Sequence, residues 1–531
     1  MSERTPSPSR YANRRILTTL TGARTIRGVL IALGVGAACL AIAAAGVPFD
    51  VTAQGSGNGQ PSGDRDIKEM NKAFGDYIKS LKDMQKSFIA ADAFRLDEAH
   101  AVGAYDLITA FMHSANRQNL TSSGAGLRGY PRFTGFDDPD TRIGVDNPDT
   151  QYMGAIVNNE DCDQVWRIWG NRSNSVDFIL TTFDTSGGTG GGPTLEDEDM
   201  YNIDGQPLGL DEPFVAYAAC EDPGLGPNFL ELPQGRTIQI ARRHSHCDWS
   251  EEKPAEIHIE RMATAGVPSP PLSASVMTEQ IRQGIALNET QAPFWPAFVD
   301  TIKQAPVNTA LPWRPTGGLG ITTQYSMLMW WELADDEALI IRLPDIPSSD
   351  PNLDGIAKYY GLQLSNFWAS SADWANRHAS MNWGLDGGCQ AEKATFPTPH
   401  PAQDFWDSQP EPNPWPDCGF QDAYYIVLSK QDPGVRNWIE TAELSQGILA
   451  GRLQSVAPVD VPTILGTPLL PAPGTGANSC MLPIAFPPMP VNQVAPFLQN
   501  FGAATPGFMP DDRTDQLLVR QNFVREKYVF W

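Results

Sequence analysis

Three side chains at alternating positions have the types and spacing to hold a metal ion. His244, His246 and Asp248 stand at positions i, i+2 and i+4, and residues so spaced share one face of a β-strand. Imidazole and carboxylate donors favour zinc or manganese over calcium. The spacing identifies no fourth ligand, and surface histidines on a strand explain the same pattern. We therefore expect no cofactor and keep a divalent metal at these residues as the alternative.

A second polar group stands just before a hydrophobic run. It is the stretch Asp146-Asn147-Pro148-Asp149-Thr150-Gln151-Tyr152. Asp and Asn side chains cap turns and proline fixes φ, so the stretch predicts a turn that leads into a strand. In the alternative interpretation, Asp146 or Asp149 lies at the mouth of a binding site as a base or cation ligand, with Tyr152 beside it.

A third group mixes aromatic rings with amide and guanidinium donors. It consists of Asn366, Trp368, Trp374, Arg377, His378 and Asn382. Tryptophan rings stack on the apolar faces of sugars and sterols, while Asn and Arg side chains bind hydroxyl groups. The same residues would fit a buried core equally well. A carbohydrate or lipid-like ligand is thus one hypothesis and core packing the other.

Nucleophilic catalysis has no signature in this sequence. No G-x-S-x-G motif occurs, and no Ser/His/Asp arrangement stands out. With 62 Asp and Glu residues, carboxylate pairs are too numerous to identify a glycosidase dyad. The sequence therefore leaves open whether the protein is an enzyme.

Charge excludes one class of partner. The formal net charge is -24, although residues 1 to 45 carry six Arg against one Glu, so the rest of the chain is more acidic still. Such a body repels phosphate backbones, which excludes nucleic acid as a partner and favours solubility.

The amino terminus predicts export. Arginines precede an uncharged apolar run over residues 28–47, which is long enough to span a bilayer with the amino end in the cytoplasm. Ala41, Ala43 and Ala45 also fit cleavage by signal peptidase. We expect a body that is periplasmic, extracellular or anchored to the membrane through residues 28–47, and both the cleaved and the anchored form stay open.

Cysteine usage agrees with export. Six cysteines lie outside the leader, an even number that suits disulfides in an oxidising compartment. Cys389 and Cys418 flank a Pro-rich stretch that reads as one long loop, so we expect a bridge between them first.

The pattern of turns and hydrophobic runs predicts a mainly β fold with helical additions (α+β), built from two jelly-roll-like β-sandwich domains. The expected segments are a leader over 1–50, a linker over 51–65, a helical segment over 66–119, a first sandwich over 120–270, a helical connection over 271–310, a second sandwich over 311–455 and a Pro-rich extension with a C-terminal helix over 456–531.

Four segments resemble one bacterial family in its order along the chain. They are residues 146–152, Asp248-Trp249 with 257–261, residues 362–368 with 376–382, and residues 432–438 with Thr441-Ala442. From about residue 90 to 530 the chain resembles the domain of unknown function 1214, commonly joined to the domain of unknown function 1254. The resemblance implies a double jelly roll that assembles as a homo-oligomer, and this family has no agreed catalytic residues to carry over.

The combined features favour an exported or membrane-tethered binding or assembly protein. The alternative is an extracytoplasmic, hydrolase-like enzyme that acts on a polysaccharide, lipid or sterol-like substrate.

Overall fold

The structure is a computed structural model. It describes residues 63–114, 128–137, 141–144, 146–184, 191–315, 323–344, 357–384, 423–456, 483–500 and 510–527. The predicted leader, the linker up to residue 62 and the predicted Cys389–Cys418 bridge lie outside these residues.

Nine strands build the first sandwich. They are β1 Thr134–Asp137, β2 Thr150–Asn159, β3 Trp166–Asn171, β4 Asp177–Asp184, β5 Gly191–Glu196, β6 Pro213–Ala219, β7 Phe229–Glu231, β8 Gly235–Ser245 and β9 Glu256–Arg261. One sheet has the order β1-β2-β8-β4-β5 and is called junction sheet 1. The other has the order β7-β6-β3-β9 and is called outer sheet 1.

The second sandwich uses ten strands. They are β10 Arg314–Pro315, β11 Tyr325–Glu332, β12 Glu337–Pro344, β13 Tyr359–Ser365, β14 Ser380–Gly384, β15 Ala423–Ser429, β16 Trp438–Glu440, β17 Gln446–Gln454, β18 Ile484–Ala485 and β19 Met489–Pro490. Junction sheet 2 has the order β10-β11-β17-β13-β14. Outer sheet 2 has the order β16-β15-β12-β18, with β19 also paired to β12.

The two sandwiches repeat one topology. Each strand of the first has a counterpart nine strands later, and the orders of both sheets then coincide. Even the parallel pairs correspond, because β6 with β7 matches β15 with β16 in otherwise antiparallel sheets. The predicted mainly β fold with helical additions is confirmed.

Alternating side chains explain why these strands form sandwiches. In β11 the side chains of Met327, Met329 and Trp331 enter the core of the second sandwich, while the residues between them face the other way. The same alternation in β8 sends Ile238 and Ile240 into the first core. One apolar face per sheet must be covered, and pairing two sheets covers both.

Five α-helices complete the described residues. They are α1 Gly63–Ala90, α2 Glu98–Ser114, α3 Ala274–Ile302, α4 Val491–Asn500 and α5 Pro510–Lys527. Short 3₁₀ turns occur at Asp92–Arg95, Asp197–Asp199 and Met262–Thr264. No helix of the described residues is both long and apolar enough to cross a membrane.

Helices α1, α2 and α3 form a layer against the second sandwich. Phe88 of α1 stacks on Trp368 with ring centroids 4.9 Å apart, and both belong to a core that includes Ile448 and Ala450 of β17. Helix α3 contains Pro293 and Pro296, and it nevertheless runs on to Ile302. Burial of Trp295 and Phe298 beside the prolines accounts for the continuity.

The segment after Val456 differs from the extended chain that the sequence predicted. It contributes β18 and β19 to outer sheet 2, and α4 follows directly. Val491, Val494 and Leu498 of α4 are buried against that sheet, so tertiary packing stabilises a helix that contains Pro496.

Candidate functional site

Junction sheets 1 and 2 face each other through polar side chains. Ser245 Oγ of β8 donates to Gln454 Oε1 of β17 at 2.5 Å. Arg243 Nη1 donates to Gln324 Oε1 at 3.4 Å. All four residues are buried. The interface between the sandwiches is therefore a hydrogen-bonded layer rather than an apolar core.

The polar turn before β2 lies at one end of this junction. Asn147 Oδ1 accepts from the backbone N–H of Asp149 at 3.3 Å, and its Nδ2 donates to Thr150 Oγ1 at 2.8 Å. The Tyr152 hydroxyl accepts from the backbone N–H of Asn147 at 3.3 Å. These local bonds are the turn chemistry that the residue types predict.

Both carboxylates of the turn bind the second sandwich. The backbone N–H of Ser371 donates to Asp146 Oδ1 at 2.9 Å and its hydroxyl donates to Oδ2 at 2.5 Å. The Tyr359 hydroxyl donates to Asp149 Oδ2 at 2.6 Å. Burial raises the pKa of Asp146, and the bonds from Ser371 oppose that shift. The turn thus fastens one sandwich to the other.

Asp149 is the most chemically distinctive group here. It is 1% exposed, and burial raises the pKa of its carboxyl to about 6, against the opposing effects of the Tyr359 bond, the Arg520 charge and the side chains of Asn382 and Trp249. Burial and the neighbouring Asp149 also raise the pKa of Tyr359 well above its usual value. A carboxyl in this setting could exchange a proton near neutral pH.

Helix α5 closes this end of the junction through Arg520. One guanidinium nitrogen donates to the carbonyls of Trp374 and Arg377 at 3.2 and 3.1 Å, and the other donates to the carbonyl of Ser380 at 2.6 Å. The guanidinium carbon lies 4.9 Å from the ring centroid of Trp249. Burial lowers the pKa of Arg520 to about 10, and the charge of Asp149 opposes the shift.

The predicted metal trio does not converge. His244 and His246 are fully buried with ring centroids 5.0 Å apart, whereas Asp248 is exposed and bonds to Ser250. Nδ1 of His244 accepts from the backbone N–H of Ala255 at 2.8 Å, and burial lowers the pKa of His244 well below its usual value. Among the described residues, no three His, Cys, Asp or Glu side chains are placed to hold a metal ion.

The expectation of surface histidines is also wrong. Strand β8 is central in junction sheet 1, between β2 and β4. The His244 ring packs edge-on against Phe178, and the His246 ring packs against Phe523 of α5. Phe178 of junction sheet 1 and Phe523 of α5 therefore help to enclose these two residues. The expectation that the protein needs no cofactor stays a prediction.

Two residues of the predicted ligand group belong to a turn and a core. Asn366 Oδ1 accepts from the backbone N–H groups of Trp368 and Ser370 at 2.9 and 3.3 Å. Trp368 is fully buried, and its Nε1 donates to the carbonyl of His100 at 2.7 Å. For these residues the core-packing alternative is the better description.

The remaining predicted residues surround the α5 contact. The Arg377 side chain forms an ion pair with Glu440, and the buried His378 accepts from the backbone N–H of Glu440 through its carbonyl at 2.8 Å. Asn382 Nδ2 donates to the carbonyl of His246 at 3.2 Å. The fold thus brings Asp146, Asp149, Tyr152 and Asn382 together, and places Arg377 and His378 at the edge.

Sequence reasoning missed Tyr359 and Arg520. Tyr359 is the first residue of β13, and nothing in its local pattern distinguishes it from a core aromatic. Arg520 carried a weak signal, because it stands among Val519, Phe523 and Val524, which pack against Trp249 and Trp374. A lone arginine in an apolar helix face calls for a buried partner.

A second buried polar group lies at the opposite end of the junction. The hydroxyl of Ser455 donates to Asp177 Oδ1 at 2.8 Å, and that of Thr323 donates to Glu196 Oε1 at 2.5 Å. Lys358 Nζ lies 3.0 Å from Asp197 Oδ1. Burial raises the pKa of Glu196 to about 7, and burial with the charge of Asp197 raises the pKa of Asp177.

The first sandwich also carries a disulfide. Cys162 and Cys220 are bonded to each other, and Cys247 is also disulfide-bonded.

Comparisons with known proteins bear on the fold. No family model matches the sequence, and no curated protein matches it. The chain is similar to the crystal structure of an uncharacterised protein from Burkholderia cenocepacia, with a TM-score of 0.60 and 18% identity over 80% of this chain and 99% of that one. The VPA0106 protein from Vibrio parahaemolyticus matches at a TM-score of 0.33 and 10% identity over 65% of this chain and 96% of that one, too weakly to bear on the fold. The Burkholderia structure shows a shared fold.

Proposed function

We propose that the protein is an exported or membrane-tethered binding protein whose ligand is a carbohydrate. The proposal rests on a contrast between two sets of side chains. Asp146 and Asp149 are buried and fasten the sandwiches together, whereas aromatic and charged side chains are partly exposed on the outer face of outer sheet 1. The residue types suited to catalysis thus have a structural role, and the accessible ones are suited to binding.

The geometry of the exposed face supports this ligand class. The Trp169 ring stacks on the His258 ring with centroids 5.3 Å apart, and the guanidinium carbon of Arg167 lies 4.5 Å from the Trp169 centroid. Arg167 pairs across the sheet with Tyr217 and with Glu260. The Arg167 and His258 side chains are 42% and 48% exposed. Flat rings bordered by hydrogen-bonding groups match a sugar, which has one apolar face and a rim of hydroxyls.

Two observations support export. The first 47 residues have the arginines and apolar run of a leader. The Cys162–Cys220 disulfide suits an oxidising compartment.

Glycan binding is tested by applying the purified full-length protein to an array of bacterial polysaccharides and oligosaccharides. We expect binding that Trp169→Ala reduces at least about tenfold, a loss of roughly 1.4 kcal/mol. Tyr201→Ala serves as the control, because Tyr201 is 40% exposed and lies outside outer sheet 1. Binding to no glycan, or equal binding by Trp169→Ala, would contradict the proposal. A cytoplasmic full-length protein in cell fractionation would contradict export.

A second candidate, an extracytoplasmic hydrolase-like enzyme for a polysaccharide or lipid, is favoured by one observation. The buried carboxyl of Asp149 has a pKa raised to about 6, which suits a general acid near neutral pH. Substrate access would require α5 to move, because Arg520 and Phe523 cover this end of the junction.

The enzyme candidate is tested with panels of glycosides and esters. If Asp149 is the acid, Asp149→Asn should abolish turnover while the protein stays folded, and Glu196→Gln at the opposite end of the junction should retain it. Absence of turnover across both panels, or full activity of Asp149→Asn, would remove this candidate.

A further inference from the structure

Helix α1 has an apolar surface that is separate from its packing face. Its packing face is accounted for, since Ala73, Tyr77, Met84 and Phe88 are buried against the helical layer. A second set of large apolar side chains on the same helix is exposed. It consists of Ile67 at 47%, Phe74 at 55%, Ile78 at 40% and Ile89 at 38%.

These exposed residues form one stripe. They follow one another at intervals of seven, four and eleven residues, and such intervals return to the same side of a helix with 3.6 residues per turn. Helix α2 extends the stripe, because Gln85 Nε2 donates to the Tyr105 hydroxyl at 3.1 Å and Tyr105 is itself 43% exposed.

A row of lysines borders the stripe. Lys68, Lys79, Lys82 and Lys86 are exposed and lie at intervals of eleven, three and four residues, and the first two directly follow Ile67 and Ile78. Helix α1 carries six Lys and Arg against five Asp and Glu, in a chain whose net charge is -24. A slightly basic helix with its lysines gathered beside an apolar stripe is unusual in so acidic a protein. Anionic lipid headgroups complement such a surface.

The position of α1 in the chain also favours contact with a membrane surface. Fifteen residues, 48–62, separate the apolar run 28–47 from Gly63, where α1 begins. A random-coil chain of fifteen residues spans about 20 Å on average. If the run is retained in the bilayer, α1 stays within reach of the headgroups.

We propose that α1 lies on an anionic membrane surface, with Phe74 and Ile78 in the interface and the lysine row against the headgroups. This gives the exposed stripe of α1 a role in membrane contact that neither export nor glycan binding requires. With α1 on the membrane, the helical layer would lie between the membrane surface and the second sandwich.

The test uses the full-length chain with Cys39→Ser and an environment-sensitive nitrobenzoxadiazole dye at Phe74→Cys. Vesicles are made of phosphatidylcholine with or without phosphatidylglycerol. We expect the dye emission to shift to the blue on vesicles with phosphatidylglycerol and to shift less without it. The combined Lys68→Gln, Lys79→Gln and Lys82→Gln variant should lose the dependence on phosphatidylglycerol. The control dye is placed at Leu225→Cys, which is 49% exposed in the first sandwich, and should not respond.

Flotation of the same samples separates this inference from membrane attachment. Protein that floats with vesicles while the dye at residue 74 does not respond would overturn the inference and leave attachment standing. Failure to float would overturn both. An equal response in both vesicle types would overturn recognition of anionic headgroups. A blue shift that depends on protein concentration without lipid would identify a second copy of the chain as the occupant and overturn the membrane proposal.

Discussion

The two ends of the sandwich junction occupy equivalent places in the repeated topology but carry different chemistry. Ser245 pairs with Asp177 in the first sandwich as Gln454 pairs with Tyr359 in the second, so Asp177 and Tyr359 are counterparts. By the same register, Glu196 opposite Ile179 matches Asn382 opposite Gly361. The direct Ser245–Gln454 bond joins two counterparts, as expected near a two-fold axis between the sandwiches.

The first sandwich supplies the carboxyl groups at both ends of the junction, but from different positions in the repeated topology. At the Asp149 end, one acid of the first sandwich meets Tyr359 and Asn382 of the second. At the Glu196 end, the first sandwich again supplies the acids, Asp177 and Glu196, but now from the positions that correspond to Tyr359 and Asn382. The shared backbone topology fixes where polar side chains from the two sandwiches come into contact. The residue types at those positions decide whether the contact contains one carboxyl group or two.

The outer sheets differ in the same manner. Phe229, Tyr217 and Arg167 form a row in outer sheet 1, and Trp438, Val427 and Ile340 form the matching row in outer sheet 2. The second row is buried under α4, whereas the first is partly exposed. Covering a sheet requires apolar residues on it, and leaving it open permits polar ones. One topology thus supplies a packed face and a face free to bind.

The largest expected effect is a loss of stability at the Asp149 end of the junction. Arg520→Met removes the donor to three buried carbonyls and the positive charge that faces Asp149. Removing one partner of a buried charge pair costs about 3–5 kcal/mol. Urea unfolding should show this loss, and the matched variant Arg525→Met on the exposed side of α5 should change stability by under ~1 kcal/mol. Equal stability of the two variants would show that α5 does not hold the junction.

The next effect contrasts the outer sheets. Ile340 is fully buried under α4 and Arg167 is its partly exposed counterpart. Ile340→Ala should lower the free energy of unfolding by about 2–5 kcal/mol, because it leaves a cavity. Arg167→Ala should lower it by under ~1 kcal/mol. Thermal unfolding of both variants checks the difference, and a comparable loss in Arg167→Ala would mean that the first face is covered as well.

The pH dependence of stability separates the two ends. The pKa of Asp149 in the fold is about 6 and that of Glu196 about 7, both raised by burial. A raised pKa stabilises the fold fully below the unfolded pKa, near pH 4, and that stability is lost as pH rises through the folded pKa. Each shift of about two units corresponds to roughly 3 kcal/mol. Asp149→Asn and Glu196→Gln should therefore gain stability relative to the wild type as pH rises from 4 to 8.

The two gains should end at different pH. The gain of Asp149→Asn should level off above about pH 6 and that of Glu196→Gln above about pH 7, following the two values. Urea unfolding at half-unit steps of pH resolves them. A gain that is independent of pH in either variant would show that the carboxyl concerned is not shifted in the fold.

The smallest effect compares single hydroxyl groups. Tyr359→Phe removes a hydroxyl that donates to Asp149 Oδ2 at 2.6 Å and lies 3.0 Å from Asn147 Oδ1. Thr323→Val removes one described donor, to Glu196. We expect losses of about 2 kcal/mol and about 1 kcal/mol. Chemical denaturation at pH 7 measures both, and a larger loss in Thr323→Val would reverse the ranking of the two ends.

Local sequence patterns indicate where helices and strands lie better than they indicate which residues pack around them. The apolar runs 338–343 and 237–241 lie within β12 and β8, because such runs suit a pleated strand. Strands β6 and β17 carry weaker signals, because three residues of β6 are alanine and β17 contains two glycines, and these residue types are depleted in strands. Helix α4 escaped prediction because its stability comes from outer sheet 2 rather than from its own residues.

The sequence by itself determined the mainly β class, the helical segments and the turn at Asn147, since each depends on residues close together in the chain. Only the tertiary structure decided what the turn binds. Tyr359 lies 210 residues from Asp149 in sequence, and Ser371 lies 225 from Asp146. The same holds for His244 and His246, whose burial depends on α5 and on a second sheet. Hydrogen bonds across the junction form only when two separately folded sheets meet, and no local pattern records their partners.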